Sequence, residues 1–263
     1  MDEKVAIILQ ARTNSKRLPN KVMADLGGRS LILFEIERLK KCTNVKEIIL
    51  ATTNERTDDD LVKAIEGVNL LVHRGSENNV LERFYECIKL TSAKHFVRIT
   101  GDCPFIDPKI IDKVIEKYFL GNFDYCSNTM PPTYPDGLDV EIFSRQALIK
   151  AYELCNSDFQ KEHVTPWIRK NKKFKIGNLK SKKDYSKLRL TVDEKIDLDL
   201  ARKIVKYFDG SSSFDFDEII KLYQSKPEIF STNIHIKRNE GSILNQGQKL
   251  WKRAKKVIPG GNM

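Results

Sequence analysis

The chain has 263 residues, 40% of them hydrophobic, which is enough for one substantial buried core, and its formal net charge is +10. No apolar run is long enough to span a bilayer, and the N-terminus MDEKVAII lacks the layout of a signal peptide, so we expect a cytoplasmic protein without a membrane partner. The charge is uneven, because residues 169–263 carry +12 and residues 1–168 carry −2.

Strand-like and helix-like segments alternate through the first two-thirds of the chain. The predicted strands are residues 5–9, 47–53, 70–73 and 95–100, and the predicted helices are 31–41, 59–65, 80–90 and 108–119. This alternation is typical of βαβ units. It predicts a three-layer α/β/α sandwich with a mostly parallel sheet.

A basic loop follows the first predicted strand. It carries Arg12, Lys16, Arg17 and Lys21 at the carboxyl end of that strand, where open α/β sheets bind their ligands. The loop therefore indicates an anionic, phosphorylated ligand. The alternative is a solvated basic turn, which we rank second because the Leu18-Pro19 pair stiffens the loop.

Two acidic residues follow later strands. Asp102 comes directly after Gly101, a residue that lets the backbone approach a ligand closely. Asp193 ends the apolar segment 189–193. Carboxylates that face bound phosphates need a divalent cation between them, so both are candidate Mg²⁺ ligands. The alternative is helix N-capping, which is the stronger objection for Asp193, whereas near Asp102 the cap falls more naturally to Asp107.

The second half of the chain is less regular. Prolines in residues 130–137 interrupt two short strands, which indicates a functional or poorly ordered insert, and alternate acids follow in residues 136–141. Helices are predicted at 145–154, 162–170, 194–208 and around 216–224, with short strands near Phe174 and Leu188. The basic segment 169–187 carries only Phe174 and Tyr185 as stacking residues, so a solvated edge is favoured over a nucleic-acid site.

Several common catalytic arrangements are missing from the sequence. Five widely spaced cysteines without a CxxC pair argue against a disulfide framework or zinc site and favour reduced thiols. No P-loop, GxGxxG or Ser-His-Asp set is evident. Several cations with two acids instead fit phosphoryl or nucleotidyl transfer, in which catalysis is mostly positioning and charge neutralisation.

A series of motifs resembles the sugar-acid cytidylyltransferases, such as the CMP-Kdo synthetases, and more closely the SpsF-like cytidylyltransferases of spore-coat polysaccharide synthesis. The resemblance spans roughly residues 4–240. Its motifs are Ala11-Arg12 through Ser15, Arg17-Leu18-Pro19, Lys21, Arg74-Gly75-Ser76-Glu77, Val80-Leu81 with Arg83, and residues 98–104, 136–141, 162–166 and 190–193.

The resemblance implies a Rossmann-like, glycosyltransferase-A-type fold and a homodimer. It also implies transfer of CMP from CTP, with Mg²⁺, to a phosphorylated or acidic sugar or small polyol for surface polysaccharide biosynthesis, with release of pyrophosphate. The implied catalytic residues are Arg12, Arg17 and Lys21 on the triphosphate, with Ala11, Ser15, Thr52, Thr53, Arg74 and Gly101 around the nucleotide. Asp102 and Asp193 would hold Mg²⁺, and Asp139, Glu141, His163 and Arg189 would face the small anionic acceptor.

The C-terminal tail has its own resemblance. Residues 245–263 read as a basic amphipathic helix, and Leu250-Trp251 with residues 254–261 resemble the opening of class III, glutamate-1-semialdehyde-type aminotransferases. We therefore predict a nucleotidyltransferase domain over residues 1–241, with residues 242–263 forming a linker and the start of a fused aminotransferase domain.

Three rival functions remain open. A GTP-using sugar-1-phosphate nucleotidyltransferase would share nearly all of these motifs. A nucleotide-sugar glycosyltransferase should carry a DxD pair, whereas this chain has Asp102-Cys103-Pro104. A basic nucleic-acid-binding module would explain the charge of the C-terminal third, but we expect no nucleic-acid partner.

Overall fold

The computed structural model describes residues 4–238, which form a seven-stranded sheet. The strands are β1 Val5–Gln10, β2 Glu47–Thr53, β3 Leu71–Gly75, β4 His95–Thr100, β5 Tyr125–Ser127, β6 Glu141–Ser144 and β7 Ile176–Asn178. Their spatial order is β3-β2-β1-β4-β6-β5-β7. All neighbouring strands are parallel except β6, which runs antiparallel to β4 and β5.

Helices cover both faces of the sheet. They are α1 Leu31–Leu39, α2 Asp59–Ala64, α3 Val80–Lys89, α4 Pro108–Leu120, α5 Arg145–Leu154, α6 Asp158–His163, α7 Pro166–Lys170, α8 Lys195–Tyr207, α9 Phe216–Ser225 and α10 Pro227–Phe230. The predicted three-layer, mostly parallel architecture is confirmed.

The central strand β1 shows why the sequence folds in this way. Ile7 and Leu9 belong to one hydrophobic core, while Ala6 and Ile8 belong to the other. Successive side chains point to opposite faces of a strand, so a strand covered on both faces must be apolar throughout. The chain can become polar only where β1 ends, and there the basic loop begins.

The predicted helix over residues 162–170 is wrong as a single element. The structure has two short helices, α6 and α7, separated at Val164 and Thr165. Pro166 has no N–H with which to continue the hydrogen bonding of α6, and Val164 adopts φ +65° and ψ −60°. The N–H of Thr165 donates to the carbonyl of His163 at 2.7 Å, which closes a tight, strained γ-turn.

We predict that this strain reverses the usual order of stability between alanine and glycine at position 164. The Val164→Gly variant should be more stable than Val164→Ala by about 1 kcal/mol, because only glycine adopts a positive φ without strain. Urea unfolding of both variants measures the difference. At Ile168 in α7, the same pair of substitutions should show the ordinary order, with alanine more stable. If the alanine variant were more stable than the glycine variant at Val164 as well as at Ile168, the backbone at Val164 would not be strained.

The second half of the chain also differs elsewhere from the predicted strands and helices. The region near Leu188 forms an isolated bridge between Asp136 and Arg189 rather than a strand, and α10 has no counterpart among the predicted helices. All five cysteines are buried free thiols. Within the described residues, no helix has the length and apolar character needed to cross a membrane.

The predicted aminotransferase junction lies outside the part of the chain that the structure describes. The same holds for the predicted helix over residues 245–263. The boundary at residue 241, the fused domain and the homodimer therefore stay predictions.

Candidate active site

Lys21 joins the two acids that the sequence singled out. It begins a short 3-10 turn directly after Asn20, which adopts a left-handed φ of 61°. The Nζ of Lys21 lies 2.7 Å from Oδ2 of Asp102, after β4, and 2.8 Å from Oδ1 of Asp193. Asp102 and Asp193 are separated widely in sequence, yet one ammonium group contacts both.

The protonation states of this cluster follow from its close ion pairs. Burial alone would raise the pKa of Asp102, but attraction to Lys21 and its hydrogen bond lower it to about 2. Burial alone would lower the pKa of Lys21, but the two carboxylates raise it instead. Near neutral pH the Lys21 ammonium and the Asp102 carboxylate are therefore both charged.

Arginines surround Asp193 and fix its position. Arg17 from the basic loop reaches Oδ2 of Asp193 at 2.7 Å, and Arg189 reaches the same oxygen at 3.3 Å. Arg189 also holds Asp197 with two nitrogens, at 3.0 and 2.9 Å, and Asp136 at 2.9 Å. Arg189 was expected to face the acceptor; its side chain is only 4% exposed, and its guanidinium contacts three neighbouring acids.

Neither candidate Mg²⁺ ligand serves as a helix cap. Asp107 caps α4 by accepting from the N–H groups of Lys109 and Ile110. The N-cap residue of α8 is Glu194, whose N–H donates to Asp197 at 3.0 Å. The capping interpretation of Asp102 and Asp193 is therefore wrong, because their oxygens face Lys21.

Asp58 holds the basic loop against the end of β2, and no pattern in the sequence indicates this role. One of its carboxylate oxygens accepts from the N–H and hydroxyl of Thr13, at 2.7 and 2.6 Å. The other accepts from the hydroxyl of Thr52 and the N–H of Thr53, at 2.8 and 3.0 Å. Thr52 and Thr53 were expected around the nucleotide; they are buried, and their hydroxyls donate to Asp58.

We predict that Asp58→Asn destabilises the protein in a pH-dependent way. An asparagine side chain could not accept all of these hydrogen bonds, so the loss at pH 7 should be about 1–3 kcal/mol. Burial would raise the pKa of Asp58, but the bonds from Thr13, Thr53 and Thr52 lower it. A lowered folded pKa gives stability that is present above the unfolded value of about 4 and lost as pH falls.

The stability gap between wild type and Asp58→Asn should therefore shrink in acid. Urea unfolding at pH 7 and below pH 4 measures this gap. Asp60→Asn is the matched control, because Asp60 is exposed two residues away. A gap for Asp58→Asn that stays constant with pH would contradict the assignment.

The other predicted nucleotide residues lie along the carboxyl ends of β1 to β4. Arg12 pairs with Glu77 at 3.0 Å, away from the Lys21 cluster. Arg74 donates to the carbonyls of Thr53 and Glu55, both at 2.9 Å. The remaining members of this set are Ala11, which is buried, Ser15, whose N–H donates to Thr13, and Gly101.

Gly101 is required by packing within the protein. A Cβ at this position would lie 2.7 Å from Cβ of Ala11 and 3.3 Å from the carbonyl oxygen of Gln10. The N–H of Gly101 donates to that carbonyl at 2.8 Å. Glycine therefore lets the segment after β4 lie against the start of the basic loop.

A cavity of about 570 Å³ opens beside the Lys21 cluster. Its wall includes Arg17, Asp102 and Asp193, together with all four residues expected to face the acceptor, namely Asp139, Glu141, His163 and Arg189. The structure thus brings the acceptor set and the predicted metal ligands to one space, while Thr52, Thr53 and Arg74 lie at the ends of β2 and β3.

The two acids of the acceptor set differ in their surroundings. Glu141 is buried and accepts from Arg98 at 2.6 Å, Thr165 at 2.6 Å and Tyr125 at 2.5 Å. Burial would raise the pKa of Glu141, but Arg98 and Arg169 lower it. Burial raises the pKa of Asp139 to about 7, although its side chain contacts Arg238.

Three arginines that line the cavity were not selected from the sequence as site residues, namely Arg98, Arg169 and Arg238. Arg98 could have been found, because a charged residue inside the apolar strand β4 needs a buried partner. Arg169 and Arg238 could not, because they resemble the many exposed cations of the C-terminal third.

The acids beside Lys21 have the chemistry of an incomplete magnesium site. No group of three or more His, Cys, Asp or Glu within residues 4–238 is arranged to hold a metal ion. Mg²⁺, however, is commonly held by one or two carboxylates completed by water and substrate phosphates. Asp102 and Asp193 fit that donor set, since both line the cavity and contact the same ammonium group.

Several known proteins resemble this chain in sequence and in fold. The chain is 29% identical over 232 residues to the spore coat polysaccharide biosynthesis protein SpsF of Bacillus subtilis, covering 85% of this chain and 95% of SpsF. A cytidylyltransferase structure from Leptospira borgpetersenii matches with a TM-score of 0.84 and 31% identity, over 90% of this chain and all of that one.

A more distant structure shares the fold alone. CMP:2-keto-3-deoxy-manno-octonic acid synthetase, solved in complex with CTP, matches with a TM-score of 0.62 and 18% identity, over 78% of this chain and all of that one.

The family model described as Cytidylyltransferase matches residues 6–237. This match shows that the chain belongs to the cytidylyltransferase family, a family of CTP-dependent nucleotidyltransferases.

Proposed function

We propose that this enzyme transfers CMP from CTP to a phosphorylated or acidic sugar or small polyol, and that the product serves surface polysaccharide biosynthesis. The observation that carries the proposal is Lys21 held between Asp102 and Asp193, two acids that line the cavity. The name of the relative SpsF supports the polysaccharide role.

The reaction needs charge neutralisation more than proton transfer. An acceptor phosphate or carboxylate is already ionised near neutral pH, so its oxygen can attack the α-phosphorus of CTP without a general base. The bond from the α-phosphorus to the bridging oxygen breaks, and pyrophosphate leaves with the electron pair. Arg17 and Lys21 would stabilise the negative charge that develops at the α-phosphate.

Mg²⁺ is part of the proposal. Asp102 and Asp193 would hold it, and when bound it would neutralise charge on the triphosphate. Lys21 would then keep the two carboxylates together and aligned. Arg189, which contacts Asp193 and Asp136, would keep the acidic side of the site in place.

Pyrophosphate release tests this function. The assay combines Mg²⁺, each of the four nucleoside triphosphates, and a panel of sugar phosphates, sugar acids and amino-polyol phosphates. CTP should be the preferred donor and should raise the melting temperature of the protein. Turnover with no acceptor, together with no thermal shift by CTP, would contradict the proposal, and preference for GTP would support the rival sugar-1-phosphate transferase.

A further inference from the structure

Five arginines line the cavity beside Lys21, and they differ in whether they are paired with an acid. Four of the five form ion pairs with carboxylates, namely Arg17 with Asp193, Arg98 with Glu141, Arg189 with Asp136, and Arg238 with Asp139. Arg169 also lines the cavity. Its guanidinium forms no ion pair and donates no hydrogen bond to any residue within 4–238.

The nearby acid does not require Arg169. Glu141 is already bonded on one oxygen by Arg98 and on the other by Thr165 and Tyr125. Arg169 still lies near enough to lower the pKa of Glu141. Arg98, Arg169 and Glu141 together carry a net charge of +1, which favours an anion bound beside them.

The backbone holds Arg169 at the cavity wall. The γ-turn at Val164 places Thr165 where its hydroxyl donates to Glu141 at 2.6 Å. The N–H of Arg169 donates to the carbonyl of Thr165 at 3.0 Å, one turn later in α7. His163 and Phe159, from α6, line the same cavity. A guanidinium that has no partner among residues 4–238 and lies on an anchored turn is a preorganised donor for an oxyanion.

We propose that Arg169 determines acceptor specificity by binding an anionic group of the acceptor, a carboxylate or a phosphate. This inference rests on the proposed function and narrows it, because a neutral sugar would leave the charge of Arg169 uncompensated. In this scheme Arg17 and Lys21 contact the nucleotide, and Arg169 binds the anionic group of the acceptor.

The first test compares Michaelis constants in the pyrophosphate assay. Arg169→Gln should raise KM for the acceptor about 10- to 100-fold, the loss expected for charge-assisted hydrogen bonds, while KM for CTP stays within about twofold. Lys170→Gln, the adjacent exposed cation on the same helix, is the matched control and should change neither constant. An unchanged acceptor KM in Arg169→Gln, or equal turnover of matched neutral and anionic acceptors by the wild type, would overturn the proposal.

A second test needs no turnover. Inorganic phosphate is titrated into the full chain saturated with CTP, so that the triphosphate site is filled, and fluorescence of Trp167 in α7 is followed in a Trp251→Phe background. The signal should saturate, and Arg169→Gln should weaken phosphate binding at least tenfold, whereas Lys170→Gln should not. A CTP-induced thermal shift without a phosphate signal contradicts the role of Arg169. Absence of the CTP shift itself contradicts the proposed function.

Discussion

We expect Lys21→Met to lower kcat/KM for CTP by about 10³-fold, the upper range for loss of one group that stabilises transition-state charge. Lys21 is 8% exposed, and its ammonium contacts both Asp102 and Asp193. Methionine would leave these two carboxylates facing each other and the triphosphate without the cation between them. Steady-state pyrophosphate release measures the loss, and the rise in melting temperature caused by CTP should also disappear.

Lys16→Met is the matched control for this prediction. Lys16 lies in the same loop, but its side chain is exposed, so its loss should change kcat/KM for CTP little. Circular dichroism and urea unfolding would show whether each variant is folded at the assay temperature. Near-normal kcat/KM in a folded Lys21→Met variant would refute the role of Lys21 in charge stabilisation.

The parts of the fold that were predicted correctly are those fixed by local pattern. The buried strand β1 has a continuous apolar run. Asp107 followed by Pro108 indicates the start of α4. The break between α6 and α7 was missed even though Pro166 marks it, because the apolar spacing around it suits one helix. The positive φ of Val164 has no sequence signal, since valine rarely adopts it.

The active site was predicted in part because several of its residues follow strands. The ends of parallel strands meet at one edge, so Lys21 and Asp102 could be brought together from the order of elements. Asp58 could not be separated by pattern from Asp59 and Asp60, which follow it in the chain, begin α2 and are exposed. Its burial depends on Thr13 meeting the end of β2, a contact between residues 45 positions apart.

Charge pairing also bears on the basic excess of the C-terminal third, which left a nucleic-acid-binding module open as a rival although a solvated edge was favoured. Arg189 and Arg238, however, are bonded to acids of the cavity. Formal charge therefore describes the exposed surface poorly wherever cations are committed to buried carboxylates.

We expect Arg189→Met to give the largest loss of stability among the single substitutions considered, about 3–5 kcal/mol at pH 7. The guanidinium of Arg189 lies among Asp136, Asp193 and Asp197, and the side chain of Asp197 is fully buried. Methionine has similar length but leaves these charges without their counterion. Urea unfolding at pH 7 measures the effect.

The pH dependence and a second substitution separate charge from packing. Burial would raise the pKa of Asp197, but the bonds from Arg189 and Asn233 lower it, so its contribution is present above about pH 4 and lost as pH falls. The gap between wild type and Arg189→Met should therefore narrow in acid, and adding Asp197→Asn to Arg189→Met should recover part of the loss. Arg202→Met, which removes an exposed cation 3.9 Å from Asp199, should change stability by less than about 0.5 kcal/mol. If Arg189→Met were no more destabilising than Arg202→Met, Arg189 would not be the counterion that holds the acidic side of the site.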